Sequence, residues 1–273
     1  MDLDGAVIVV TGGGRGIGRA LCERFAHERA AAIVVADADG TAAEEVAASL
    51  GGIAVAMDAA SEADVIHVLD VTEKRFGVPD LFCANAGIGA DGDLDAPDEL
   101  WERSWQVNVM SQVYAARHSV PRMLARGHGY LLFTASAAGL LSMPGAAPYA
   151  VSKHAAVAIA EYVSITYGGR GIGVSCLCPQ AVDTRLLREQ TDEAVALMML
   201  SISDVLEPAQ VAATVVEGLA NERFLILPHA DVADHVLRRA SDPDRWLSGM
   251  RRIARSLSDD DDVATADHQN GGE

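Results

Sequence analysis

Tyr149 and Lys153 stand four residues apart, so on a helix their side chains share one face. A free phenol, with a pKa near about 10, exchanges protons poorly at neutral pH. A neighbouring ammonium favours the phenolate and brings that value towards the range of general acid–base catalysis. Taken alone the pattern is weak, because Tyr-x-x-x-Lys arises often by chance and equally describes a half-buried tyrosine over a surface lysine. A second stretch with chemical content runs from Thr11 to Gly18, Thr-Gly-Gly-Gly-Arg-Gly-Ile-Gly. Set before a helix, it offers free backbone N–H groups and the positive end of the dipole to an anion, and its glycines let a phosphate come close because no Cβ intervenes. A merely flexible turn is the alternative.

The flanking elements favour the phosphate. Ala6 to Val10 is a β-branched run of the kind that forms a buried strand, and Ile17, Leu21, Phe25 and Ala26 then recur at helical spacing. Ala32 to Ala36 reads as a second strand ending at Asp37, followed by a capping box, Thr41-x-x-Glu44, that opens a helix. Ile53 to Met57 is a third strand closed by Asp58, and Ser61 starts a helix with Val65, Val68, Leu69 and Phe76 on its apolar side. Leu81 to Ala84 leads into Asn85-Ala86-Gly87, and a long helix runs from Pro97 through Trp101 and Trp105 to Gly127. Ser136 stands just past the fifth strand, Tyr130 to Thr134, on the sheet edge where α/β proteins bind ligands. A helix opened by Pro148 carries Tyr149 and Lys153; strands follow at Ile172 to Cys178 and Phe224 to Leu227, with helices from Pro208 and over Asp231 to Ser256. Strands alternating with helices at this spacing predict an α/β fold: a single Rossmann-type doubly wound parallel sheet with helices on both faces. Residues 1–256 form that domain, with a substrate lid around 183–205 where Leu and Met are frequent, and 257–273, containing Asp259 to Asp262, form an acidic disordered tail.

The chain has 273 residues, half of them hydrophobic, which suits one large domain. Its net charge of −18 argues against nucleic acid or an anionic membrane as a partner. The acidic start, Met1-Asp2-Leu3-Asp4, lacks a signal-peptide profile, and no apolar run reaches the roughly 18 residues of a membrane span, so a cytoplasmic location is expected. Cys22, Cys83, Cys176 and Cys178 fall in core elements without a C-x-x-C pair and read as small buried hydrophobes, with no metal site.

The glycines at 12, 16 and 18 follow Thr-Gly-x-x-x-Gly-x-Gly, and with Asn85-Ala86-Gly87, Asn108, Ser136, Tyr149, Lys153, Pro179 and Thr184 in order the chain resembles the short-chain dehydrogenase/reductase family from Thr11 to Thr184. The resemblance implies that Tyr149 exchanges the proton with the substrate oxygen, Ser136 hydrogen-bonds that oxygen, Lys153 lowers the tyrosine pKa and binds the nicotinamide ribose, and Asn108 holds a water that links the lysine to solvent. It implies cofactor contacts at Gly12, Gly14, Arg15, Gly16, Ile17, Gly18, Asp37, Asn85, Ala86, Gly87, Pro179 and Val182. Asp58 would bond the adenine amine and Thr184 the carboxamide. A homotetramer, or a homodimer, is implied too, with Trp105 and Tyr162 at an interface.

One residue departs from the pattern: Gln180 follows Pro179 where similar proteins have glycine. It either fits an ordinary backbone conformation or shifts the loop, and its amide meets either substrate or solvent. The expected activity is NAD-dependent interconversion of a small-molecule secondary alcohol and its ketone, the substrate largely apolar because Leu140, Leu141, Met143, Leu186, Leu187 and the run Met198 to Leu200 flank the site. The rivals are an NADPH-dependent carbonyl reductase and a catalytically silent dinucleotide sensor. Asp37 favours NAD over NADP, because its carboxylate can accept from ribose hydroxyls and repels a 2′-phosphate. Arg15 points the other way, because in similar proteins a basic residue within the glycine loop often accompanies NADP; an arginine there is free to swing into solvent, whereas Asp37 is fixed by the strand end, so the fixed charge is expected to win.

Overall fold

The computed structural model describes residues 1–189 and 204–255. Within them lie β1 (Val7–Thr11), β2 (Ala32–Asp37), β3 (Ile53–Ala56), β4 (Leu81–Ala84), β5 (Gly129–Thr134), β6 (Ile172–Leu177) and β7 (Leu225–Ile226). They pair in parallel throughout, in the order β3-β2-β1-β4-β5-β6-β7. The order reverses between β1 and β4, and beyond the carboxyl ends of those strands opens the crevice in which such sheets receive ligands.

Helices cover both faces: α1 (Gly16–His27), α2 (Gly40–Leu50), α3 (Glu62–Phe76), α4 (Asp98–Trp105), α5 (Ser111–Arg126), α6 (Ala138–Leu141), α7 (Ala147–Tyr167), α8 (Arg185–Glu189), α9 (Pro208–Ala220), α10 (Asp231–Ser241) and a last helical stretch, α11 (243–255). Alternate strand residues serve opposite layers. Val9, Val34, Phe82, Leu131 and Phe133 pack with α3, α5 and α7, whereas Ile8, Val10, Val35 and Leu132 pack with α1, α2 and α9. That division explains why the strands read as unbroken apolar runs. No helix among the described residues is long and apolar enough to cross a membrane.

Three local expectations are corrected. The N-cap of α2 is Asp39, whose side chain accepts from the Ala42 N–H at 3.1 Å, so Thr41 lies inside the first turn and does not cap it. Phe76 ends α3 and is exposed, because the helix stops at Gly77 before its face reaches the core. The long helix after Pro97 is not uniformly α: Gln106–Met110 form a π turn between α4 and α5. Of the expected lid, residues 190–203, including Met198 to Leu200, lie outside the described residues, as does the acidic tail.

The turn from β1 into α1 is set by contact. A Cβ on Gly18 would lie 2.0 Å from the Gly12 carbonyl oxygen and 2.6 Å from Asn85 Nδ2, and Gly12 itself has φ +64°. Gly18→Ala is therefore expected to destabilise the protein by more than about 2 kcal/mol in denaturant unfolding, since backbone must shift to admit one methyl group. A variant as stable as wild type would show that the turn is looser than its packing indicates.

Candidate functional site

The carboxyl ends of β1, β4 and β5 are bound together by polar side chains. Thr11 Oγ1 donates to the Cys83 carbonyl at 3.2 Å and accepts from the N–H groups of Asn85 and Ala86 at 3.0 and 3.1 Å. Asn85 Nδ2 donates to the carbonyl of Thr11 at 3.0 Å, and its Oδ1 accepts from Thr134 Oγ1 at 3.1 Å. Both ends of the Asn85 amide are thus spent on holding loops, and this residue shapes the crevice from within. At the end of β2, Asp37 Oδ2 accepts from the Gly14 N–H at 2.9 Å and Oδ1 from the Asp39 N–H at 2.9 Å, which fixes the carboxylate at the edge of the glycine turn.

Beyond β5 the residues with proton chemistry meet. Lys153 is 3% exposed, its Nζ donates to the Thr134 carbonyl at 3.2 Å and lies 5.5 Å from the centre of the Tyr149 ring. Burial pulls its ammonium down from 10.5 to about 8. The expectation that this ammonium lowers the Tyr149 phenol meets a larger opposing effect: burial raises the phenol above its ordinary value, and a hydrogen bond with the Ser136 side chain only partly offsets that. Ser136 Oγ also accepts from the Ala138 N–H at 3.1 Å, an anchor that holds the hydroxyl at the base of α6. Asn108 sits in the π turn, with Oδ1 accepting from the Ile88 N–H at 2.9 Å and Nδ2 donating to the Ile88 carbonyl and Ser152 Oγ at 3.1 Å each. A Cβ on Gly87 would stand 3.2 Å from both Asn108 Oδ1 and Lys153 Nζ. Only a glycine leaves the floor between them open.

A single cavity of about 1470 Å³ takes in these groups and the glycine turn. Of the residues the sequence singled out, Gly12, Arg15, Gly16, Ile17, Gly18, Asp37, Asp58, Asn85, Ala86, Gly87, Ser136, Tyr149, Lys153, Pro179, Gln180, Val182 and Thr184 all line it. Gly14 and Asn108 stand behind that wall, the first through its bond to Asp37 and the second through Ile88 and Gly87. Leu141, Met143, Leu186 and Leu187 line it as well, as the sequence expected of flanking apolar residues.

Several contributors carried no sequence signal. Asp39 pairs with Arg15 at 2.6 Å, so the arginine expected to swing free is held by a carboxylate. Ser152 Oγ links the Asn108 amide to the Tyr149 carbonyl, to which it donates at 2.8 Å. His229, buried, accepts at Nδ1 from the Gln180 N–H at 3.2 Å and faces the Ala181 and Asp204 carbonyls through Nε2, which pins the loop after β6. Gln180 keeps a negative φ, so the loop needs no glycine there, and its buried Oε1 has no hydrogen-bond partner among the described residues. The far wall is C-terminal: Arg239 donates to the Leu140 carbonyl, Val232 and Trp246 pack on Ala137 and Leu141, and residues of α10 and α11 line the cavity.

The family model described as short chain dehydrogenase matches residues 6–195. A 1-deoxy-11-beta-hydroxypentalenate dehydrogenase of Streptomyces exfoliatus is 36% identical over 240 residues, covering 85% of this chain and 86% of that protein. A short chain aldehyde dehydrogenase 1 of Euphorbia lathyris is 30% identical over 262 residues, covering 92% and 87%. Among solved structures, a short chain dehydrogenase/reductase from Burkholderia phymatum in complex with NAD superposes with a TM-score of 0.82 at 31% identity, over 89% of this chain and 96% of that one.

The buried ammonium makes a stability test possible. With Lys153 at about 8 in the folded protein and 10.5 as its ordinary value, its burial penalty is fully present below pH 8 and disappears as pH rises from there through 10.5. Its size is roughly 3 kcal/mol. Lys153→Met should therefore be more stable than wild type at pH 7, with the difference shrinking steadily towards pH 10 in parallel urea titrations. A difference that stays constant or grows with pH would contradict the depressed ammonium.

Proposed function

The chain belongs to the short-chain dehydrogenase/reductase family of oxidoreductases, and from that footing we propose that it interconverts a largely apolar secondary alcohol and its ketone by hydride transfer with NAD. The observation that carries this reading is the convergence of Tyr149, Ser136 and Lys153 on the same cavity as the glycine turn. The residues present fit the dinucleotide. The cavity exceeds the roughly 300–1,000 Å³ of an ordinary small-molecule pocket, Gly16 and Ile17 bring the first turn of α1 to its wall, and a Cβ on Gly87 would fill the space above Lys153 Nζ. A bound nicotinamide supplies acceptance or donation of the hydride.

The protein's own groups then do the following. Tyr149 Oη takes the hydroxyl proton in oxidation and returns it in reduction. Ser136, fixed at its backbone bond, orients the substrate oxygen towards the phenol. Lys153 offsets the burial that raises the phenol once the phenolate forms, and donates to the ribose hydroxyls. Asn108 Oδ1 and Lys153 Nζ both face Gly87, each 3.2 Å from where a Cβ would stand there, and this supports Asn108 as the holder of a water that links the lysine to solvent. The cavity's apolar wall at Leu141, Met143, Leu186 and Leu187 supports an apolar substrate. Exposed Trp105 on α4 and Tyr162 and Ile165 on α7 support assembly into a homotetramer or homodimer through those helices.

NAD is favoured over NADP by the fixed Asp37 carboxylate, which would repel a 2′-phosphate by about 1–4 kcal/mol. Arg15, already paired with Asp39, is not a free counter-charge. NAD is thus expected to be preferred at least tenfold in kcat/KM, and Asp37→Ser to narrow or reverse that ratio; equal use of both by wild type would mean that Arg15 decides. Tyr149→Phe should leave NAD binding intact in calorimetry and remove turnover measured by NADH absorbance over a panel of bulky alcohols. Retention of more than a tenth of the wild-type rate would exclude Tyr149 as the proton carrier.

A further inference from the structure

The C-terminal wall of the cavity gathers three arginines that no carboxylate pairs among the described residues. The chain holds 39 acidic residues against 21 basic ones, and its arginines mostly find carboxylates: Arg15 with Asp39, Arg24 with Glu28, Arg117 with Glu62, Arg122 with Asp70 and Arg126 with Asp80. Arg238, Arg245 and Arg252 do not. All three line the cavity, and among the described residues none makes an ion pair or a side-chain hydrogen bond. The nearby carboxylate on the same wall, Asp242, accepts instead from the Arg245 backbone N–H at 3.0 Å. In a protein with so large an acidic excess, three unpaired guanidiniums around one opening call for an anion.

We propose that this end of the cavity is an anion subsite, in which Arg238, Arg245 and Arg252 hold a carboxylate on a substrate whose carbinol carbon lies at Tyr149. The apolar body between the two would rest on Leu141, Met143, Leu187 and Met250, which line the same cavity. The inference rests on the alcohol dehydrogenase reading and deepens it: the substrate is an apolar hydroxy acid whose acid group is remote from the reacting carbon. Guanidinium is suited to this task because it stays charged at every working pH and its planar fork matches a carboxylate with two parallel hydrogen bonds. The arginines are exposed, so their attraction is screened and depends on salt. Docking of the segment on the Ser136 loop, through the Arg239 bond to Leu140 and the packing of Trp246, gives the subsite a fixed relation to the reacting groups.

The test compares 11-hydroxydodecanoate with its methyl ester, the same apolar body without the charge. Each is titrated calorimetrically into the full-length protein in the presence of NADH, where the hydroxyl cannot be oxidised. The acid is expected to bind at least tenfold tighter than the ester, and the ratio to fall severalfold between 0.05 M and 0.5 M NaCl. The triple variant Arg238→Gln, Arg245→Gln, Arg252→Gln should bring the ratio to within twofold, while the triple lysine variant keeps most of it. Equal binding of acid and ester by wild type, or a preference indifferent to salt, overturns the subsite, and neither measurement depends on a variant folding. A preference untouched by the triple glutamine variant overturns it as well. If the binding ratio holds but neither compound yields NADH from NAD, the subsite stands and the dehydrogenase reading fails.

Discussion

The structure depends on how closely three strand ends can approach one another. β1, β4 and β5 stop at one level, and Thr11, Asn85 and Thr134 tie their loops in an unbroken chain of hydrogen bonds. Buried polar atoms of this kind are costly if left unpaired, so each loop holds the others to a single arrangement. α1 can enter beside them only because Gly18 lets its first turn touch the Gly12 carbonyl and the Asn85 amide. The N-terminus of α1, the floor at Gly87 and the start of the Ser136 loop are consequences of that one junction. What reads in sequence as a phosphate-binding turn is first a packing constraint.

Onto this junction the fold builds a conflict that the stable core does not need. Lys153 is buried against the Thr134 carbonyl, and Tyr149 is buried beside it. Burial disfavours the charged form of each, the ammonium and the phenolate alike. The two charged forms would stabilise each other, and under the proposed reaction both are present together just before the phenolate takes the alcohol's proton. Destabilisation of both charged forms, with the surrounding network of Asn108, Ser152 and Ser136 holding position, is what the proposed acid–base role calls for.

Much of this was legible in the sequence because it follows from local rules. The strand positions, the glycine turn, the Ser61 cap and the Tyr149–Lys153 helix each rest on spacing within a few residues. The features that were not legible are choices of partner across the chain. Nothing near Arg15 tells that Asp39, itself occupied in capping α2, takes its guanidinium. The π turn at Asn108 has no proline or glycine to announce it; it arises where the amide must reach both Ile88 and Ser152. His229 serves a loop some fifty positions away in sequence, |i−j| being 49 for its bond to Gln180, and no period links the two. The departure at Gln180 also resolves only in three dimensions, since its negative φ removes the need for glycine.

The two ends of the cavity differ in how they are made, and that difference bears on specificity. At the dinucleotide end, contacts come from strand termini and their first turns, so Asp37 is held from two sides by backbone N–H groups. A side chain fixed in this way cannot adapt, and discrimination there is by repulsion as much as by attraction. At the substrate end the wall comes from α6, α8 and the C-terminal helices, which touch the sheet domain through a few side chains such as Val232, Trp246 and Arg239. Substitution in α10 and α11 can therefore change pocket lining without disturbing the β1–β4–β5 junction, because none of the hydrogen bonds of that junction passes through them. On the proposed reading, the chemistry would be anchored in the sheet and selection among substrates would fall to the segment packed against it.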